Sequence, residues 1–236
     1  PTMGGLIILA SILVPTLLFA RLDNIYIIMV LMATVWLGFI GFLDDYIKVK
    51  KAHNRGIFWK QKGYITFGLA IAVVAILAET TGVSQTISFT RYDLPGWEVP
   101  TVVWIVFCGL IVWATTNAVN VTDGLDGLAG GSALFGFLAF TVIAYWAFRN
   151  PEFYGVVNPL DLAVLAAAFA GACGGFLWFN AAPARIFMGD VGALGIGAAL
   201  ALLAITTNTQ LLIILICGIN VMEAGSVAIQ MGVFKA

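Results

Sequence analysis

The run NIYIIMVLMATVWLGFIGFL, residues 24–43, carries no charged side chain and ends directly on Asp44 and Asp45. About 20 apolar helical residues cross the ~30 Å hydrocarbon core of a bilayer, so this run has the length of one crossing. Lipid admits only helices and closed barrels, and a barrel strand would alternate polar with apolar residues. The run does not alternate, and reads as a membrane-spanning helix. Working outward, the same pattern predicts spans at residues 3–20, 24–43, 63–82, 99–119, 128–148, 160–182, 191–207 and 211–230. The seventh holds Gly192, Gly195 and Gly197, which suits close helix packing better than a lipid-facing position. One segment breaks the pattern. Thr86-Ile87-Ser88-Phe89-Thr90 alternates and is followed by Asp93-Leu94-Pro95-Gly96, the signature of a strand and turn, so a small extracytoplasmic β-hairpin is expected there. The expected fold is therefore an all-α polytopic membrane protein with about eight transmembrane helices, a single domain over residues 1–236.

Composition excludes the alternatives. Of 236 residues, 61% are hydrophobic and 10% charged, and the mean hydropathy is +1.03. Soluble domains carry about 25% charged residues, and 11 basic plus 12 acidic side chains cannot cover a water-facing exterior of this size. A soluble enzyme, a secreted disulfide scaffold and a disordered chain are ruled out. Cys108, Cys173 and Cys217 sit apart within apolar runs, without metal-ligand or redox spacing, as small buried hydrophobes do. A net charge of −1 gives no reason to expect nucleic acid. The chain opens at Pro1 without a signal-peptide pattern and is expected to be an internal piece of a longer protein.

Basic residues predict orientation, because cytoplasmic loops are enriched in them. Lys48, Lys50, Lys51, Arg55, Lys60, Lys62, Arg185 and Lys235 fall on one side, and Arg21, Arg91 and Arg149 on the other. The richer side is expected to be cytoplasmic. It also receives Asp44, Asp45, Asp123, Asp126 and Asp190, from three separate loops. Asp23, Glu79, Asp93, Glu98, Glu152 and Asp161 scatter over the other face and read as solvated surface charges.

The contexts of the five inner carboxylates set them apart. Asp44 and Asp45 are adjacent at a helix C-terminus, where the macrodipole disfavours anions and each raises the other's pKa. Lys48, three and four residues on, is the cation a continuing helix would bring to them, and a divalent metal would serve better. Asn117-Ala118-Val119-Asn120-Val121-Thr122-Asp123-Gly124-Leu125-Asp126-Gly127-Leu128-Ala129-Gly130-Gly131 combines amides and carboxylates with glycines that let backbone N–H groups approach a ligand. Asn180 to Gly192 places Asp190 at the start of a helix whose N–H groups would face an anion, with Phe187 available to stack on a flat base.

Together GFLDDYIKV (41–49), NAVNVTDGLDGLAGG (117–131) and FLWFNAAPARIFMGDVG (176–192) resemble the polyprenyl-phosphate N-acetylhexosamine-1-phosphate transferases, and among them the muramoyl type. The opening Pro1-Thr2-Met3-Gly4-Gly5 and the stretch from Glu223 through Gln230 to Lys235 share the likeness. The resemblance implies a ten-helix family fold whose first and last helices, and histidine-rich cytoplasmic motif, lie outside this chain. His53 does not match that motif and reads as a solvated loop residue. The implied reaction takes phospho-N-acetylmuramoyl-pentapeptide from UDP-N-acetylmuramoyl-pentapeptide to undecaprenyl phosphate, with Mg²⁺, giving lipid I and UMP at the cytoplasmic face of a bacterial inner membrane. It implies Asp190 as the metal ligand, Asp44 as the group acting on the lipid phosphate, and Asp45 as support for both. Asn120, Asp123, Gly124, Leu125, Asp126, Asn180, Phe187, Met188 and Gln230 match positions on the nucleotide side or touching inhibitors. Lys48, Lys60 and Thr2 would line the substrate site. Membrane lipid is an expected neighbour, and the resemblance leaves a homodimer open. A sibling acting on UDP-N-acetylglucosamine would share the acidic loops, but the PTMGG and WFN runs favour the muramoyl type. A CDP-alcohol phosphotransferase would need Ala-Arg after the second Gly, where this chain has Leu128-Ala129. A transporter would place ionisable groups at mid-bilayer, where only Glu223 qualifies.

Overall fold

The computed structural model describes residues 3–51 and 56–234. Helix α1 (Gly5–Phe19) leads into α2 (Ile25–Lys50), which Asn24 caps by accepting the Tyr26 N–H at 3.0 Å. Then follow α3 (Trp59–Thr80), the strands β1 (Thr86–Arg91) and β2 (Leu94–Glu98), α4 (Thr101–Thr122) and α5 (Leu128–Arg149). A single turn, α6 (Pro151–Tyr154), precedes α7 (Pro159–Asn180), α8 (Gly189–Thr206), the short α9 (Ile213–Ile216) and α10 (Gly218–Phe234). Among the described residues, six helices are long and apolar enough to cross a membrane: α2, α3, α4, α5, α7 and α8. Val102, Phe135 and Val142 point outward from the bundle and are exposed, as a lipid-facing rim requires.

Helix α8 is the axis of the bundle. Every residue from Asp190 to Thr206 is buried, with α1, α2, α4 and α5 packed around it. Small residues make this possible by letting backbones meet. A Cβ on Gly5 would fall on the backbone of Gly192, and one on Gly41 would strike the Asp190 carbonyl. Further along, a Cβ on Gly195 would lie 3.1 Å from the Thr34 carbonyl oxygen, and one on Gly197 2.6 Å from the Thr116 Cα. The glycine-rich span expected to pack closely is the most enclosed helix of the fold.

Three expectations about the elements change. The first span is a 15-residue helix, about 22 Å long at 1.5 Å per residue, which falls short of a full crossing. The eighth is broken at Cys217, whose ψ of 28° leaves the helical range just before Gly218, the residue type with the largest helix penalty apart from proline. Helix α2 runs past residue 43 to Lys50, because its two acids are neutralised one turn later by Lys48.

The hairpin forms where the alternation placed it. Thr86 faces Glu98 and Ile87 faces Trp97, with register shifts beyond Ile87. Its turn is Tyr92-Asp93, and Pro95-Gly96 lie within β2 at the irregular register, a place where a residue without an N–H is tolerated. The hairpin is joined to the end of the axial helix segment: Leu211 N donates to Ser88 O at 3.0 Å and Ser88 N donates to Gln210 Oε1 at 3.2 Å.

Candidate active site

The opposite end of α8 gathers the acids. Asp44 and Asp45 come from α2, Asp190 from the first turn of α8, and one carboxylate oxygen of each lies within 4.8 Å of the others. All three side chains are buried. Lys48 Nζ sits 2.5 Å from Asp44 Oδ2, 3.0 Å from Asp190 Oδ2 and 3.5 Å from Asp45 Oδ1. A second ammonium enters from α3: Lys62 Nζ lies 2.5 Å from Asp190 Oδ2 and 3.8 Å from Asp44 Oδ2. With its amide oriented to satisfy both neighbours, Asn120 donates to Asp190 Oδ1 at 2.8 Å and accepts from Lys62 Nζ at 3.2 Å. Asp44 Oδ1 also accepts the Ile57 N–H at 2.6 Å, and a Cβ on Gly56 would collide with its carboxylate.

The helix N-terminus is expected to offer free N–H groups to an anion, and the structure corrects this. Asp123 Oδ2 accepts from Gly189 N at 3.0 Å and Asp45 Oδ2 from Val191 N at 3.2 Å. The chain's own carboxylates occupy the positive end of the dipole, which favours negative charge there. Gly189 makes the entry possible with φ of +72° beside the Asp45 carboxylate. Burial, with Asp190 and Asp45 nearby, pushes the Asp123 carboxyl up to about 7 against the opposing pull of the Gly189 N–H.

The neighbouring loops are laced together. Asn180, buried, accepts from Gly127 N at 3.2 Å and donates to Ile186 O at 2.9 Å, while Asp126 Oδ2 accepts from Ala184 N at 2.9 Å. Gly4 N and Gly5 N each donate at 2.8 Å, to Phe187 O and Met188 O, so the segment before α1 holds the segment before α8.

The structure brings together Asp44, Asp45, Lys48, Asn120, Asp123 and Asp190. Gly124, Leu125, Asp126 and Phe187 are exposed around them. Met188 departs from its expected role, since its side chain is fully buried and packs against Gly192. Asn180 holds backbone atoms on both sides rather than presenting a free amide. Gln230, exposed on α10, donates to Ser226 at 3.2 Å, which engages the hydroxyl nearest in sequence to Glu223. Thr2 and His53 lie outside the described residues. Lys60 is exposed with its ammonium 5.4 Å from the Trp59 ring, and Lys62 makes the contacts with the acids instead. The signal for Lys62 was in the periodicity: Thr66, Ala70, Val73, Val74 and Leu77 are the buried face of α3, and Lys62 begins that stripe. Lys60, two residues earlier, faces away.

Three carboxylates against two ammoniums leave a residual negative charge, and Asp123 adds to it when ionised. An all-oxygen donor set of this kind fits a hard divalent cation. The cluster could hold a metal ion and meet a phosphate with the two lysines.

The profile of glycosyl transferase family 4 matches residues 27–208. The chain is similar over its whole length to proteins named phospho-N-acetylmuramoyl-pentapeptide-transferase. That of Rhodococcus opacus is 42% identical, with 71% of its length covered. That of Parabacteroides distasonis is 38% identical with 67% covered, and that of Corynebacterium kroppenstedtii is 40% identical with 72% covered.

Proposed function

Since the chain belongs to glycosyl transferase family 4, among the phospho-N-acetylmuramoyl-pentapeptide transferases of peptidoglycan synthesis, we propose that it moves phospho-N-acetylmuramoyl-pentapeptide from its UDP carrier to undecaprenyl phosphate, yielding lipid I and UMP. The observation that carries this reading is the meeting of Asp44, Asp45 and Asp190 with Lys48 and Lys62 at one end of a bundle of membrane helices. A water-soluble nucleotide and a bilayer-borne phosphate can reach the same depth only at such a place.

Phosphoryl transfer asks the protein mainly for positioning and charge neutralisation. Mg²⁺ held by Asp190, with Asp44 and Asp45 beside it, would offset the charge of the diphosphate oxygens when bound. Lys48 and Lys62 add fixed positive charge on the same side. A lipid phosphate oxygen attacks the sugar-linked phosphorus, the bond to UMP breaks, and UMP leaves with the electron pair. Asp44 takes the proton of a lipid phosphate that arrives protonated. It serves as base rather than nucleophile, because a carboxylate attacking a diphosphate must overcome like-charge repulsion. Asn120 and the loop 123–127 receive the nucleotide, with Phe187 exposed to stack on its base. The lysine-rich side faces the cytoplasm, where UDP-linked substrates are made.

The test is UMP release from the full-length protein with lipid phosphate and each sugar nucleotide in turn. Release with UDP-N-acetylmuramoyl-pentapeptide is expected. Release with UDP-N-acetylglucosamine alone would assign the chain to the sibling reaction.

A further inference from the structure

Helix α10 has one buried residue, Asn220, and that residue is polar. Its Nδ2 donates to Thr122 Oγ1 at 3.0 Å and to Ser132 Oγ at 3.3 Å, so its two amide hydrogens reach two other helices. Both hydroxyls are already committed as donors to their own helices. Thr122 Oγ1 donates to Ala118 O at 2.8 Å and Ser132 Oγ to Ala129 O at 3.1 Å. What they lack is a donor, and the amide supplies it; a carboxylate or an apolar side chain at position 220 could not. Thr122 is the last residue of α4, and the next residue, Asp123, accepts the N–H of Gly189 beside Asp190. Ser132 lies in the first turns of α5, just past the same loop. A continuous path therefore joins Asn220 to Asp190 through Thr122, Asp123 and Gly189.

We propose that Asn220 is a positioning residue: it clamps both ends of the loop 123–127 and thereby holds the nucleotide side of the site and the first turn of α8 in place against α10. An interhelical hydrogen bond in lipid is worth about threefold in an equilibrium constant on average and about 18-fold at most, enough to shift a binding constant without deciding the fold. The kinetic consequence rests on the transferase reading above; the clamp itself does not.

Two measurements on the full-length protein test it. Hydrogen–deuterium exchange without substrate should show the amides of residues 123–131 exchanging faster in Asn220→Leu than in wild type, with α7 unchanged. Unchanged exchange in that segment overturns the clamp whatever the reaction is. In the UMP-release assay, Asn220→Leu should raise KM for the sugar nucleotide about fivefold, within the range such bonds allow, and leave KM for lipid phosphate within about twofold. Thr122→Val, which removes one of the two acceptors and keeps the shape, should raise the same KM by a smaller factor. The double variant should be no worse than Asn220→Leu alone, because that change already removes both bonds. Additive losses, or equal loss in all constants in step with the amount of folded protein, would show a merely structural residue. No UMP from wild type with any sugar nucleotide would overturn the transferase reading, leaving exchange to decide for Asn220.

Discussion

Gly41 of α2 and Asp190 of α8 meet backbone to backbone: a Cβ on Gly41 would fall on the Asp190 carbonyl group. The contact lies one turn before Asp44 and Asp45, so the absence of a side chain at position 41 sets the distance between the two halves of the acidic cluster. Only glycine allows α2 to carry its carboxylates to the start of the axial helix.

Gly41→Ala is therefore expected to act on both stability and turnover. Overpacking of this kind costs about 1–3 kcal/mol, and a displacement of about 1 Å at the reacting groups costs about 100-fold in rate. Gly171→Ala on α7 is the control, because a Cβ there meets nothing within 4 Å. Thermal unfolding in detergent and UMP release measure the two effects. Equal behaviour of the two variants would remove Gly41 from this role.

Asp190→Asn should abolish turnover while leaving the bundle folded. The amide keeps the shape and loses the anionic oxygen that accepts from Lys48 and Lys62 and suits a hard cation. Retained helical circular dichroism with no UMP release, and lost divalent-ion binding by calorimetry, is the expected pair of results. Normal activity at ordinary Mg²⁺ would contradict the assignment.

Asp123 predicts a pH dependence. Its folded value is near 7, against about 4 when unfolded, so between these limits the folded state holds a proton that the unfolded chain has lost. Stability contributed by this group is complete at low pH and declines as pH rises from about 4 to about 7. In chelator-treated protein, the unfolding temperature of wild type should fall over that window relative to Asp123→Asn, whose amide does not titrate, and level off above it. Parallel curves would refute the shift.

Topology is testable by labelling. Single cysteines at Lys51 and Arg185 should react from the cytoplasm, and one at Asp93 from outside. Cys108, Cys173 and Cys217 are buried and should give little background. The reverse pattern would turn the acidic cluster away from any UDP-linked substrate.

Isotope exchange separates the two roles available to Asp44. With enzyme, Mg²⁺, sugar nucleotide and labelled UMP, and with lipid phosphate rigorously absent, direct transfer predicts no label in the sugar nucleotide. Exchange at a rate near turnover, lost in Asp44→Asn, would instead establish a covalent phospho-enzyme.

Hydropathy and residue type alone determined that the chain is a helical membrane protein, where its hairpin forms, and which three acidic segments to single out, and the structure brings acids from all three together. These follow from local terms, since the length of an apolar run, the alternation of a strand and a pair of adjacent acids directly after an apolar run all reside in neighbouring residues. Tertiary packing decided the rest. It chose Lys62 over Lys60 through the inward face of α3, spent Met188 on the core, filled the N-terminus of α8 with Asp45 and Asp123, and tied Asn220 to Thr122. Each of these depends on which helix faces which, and that is set by the close approach of α1, α2 and α4 to the glycines of α8, a relation between residues far apart in the chain that local sequence does not encode.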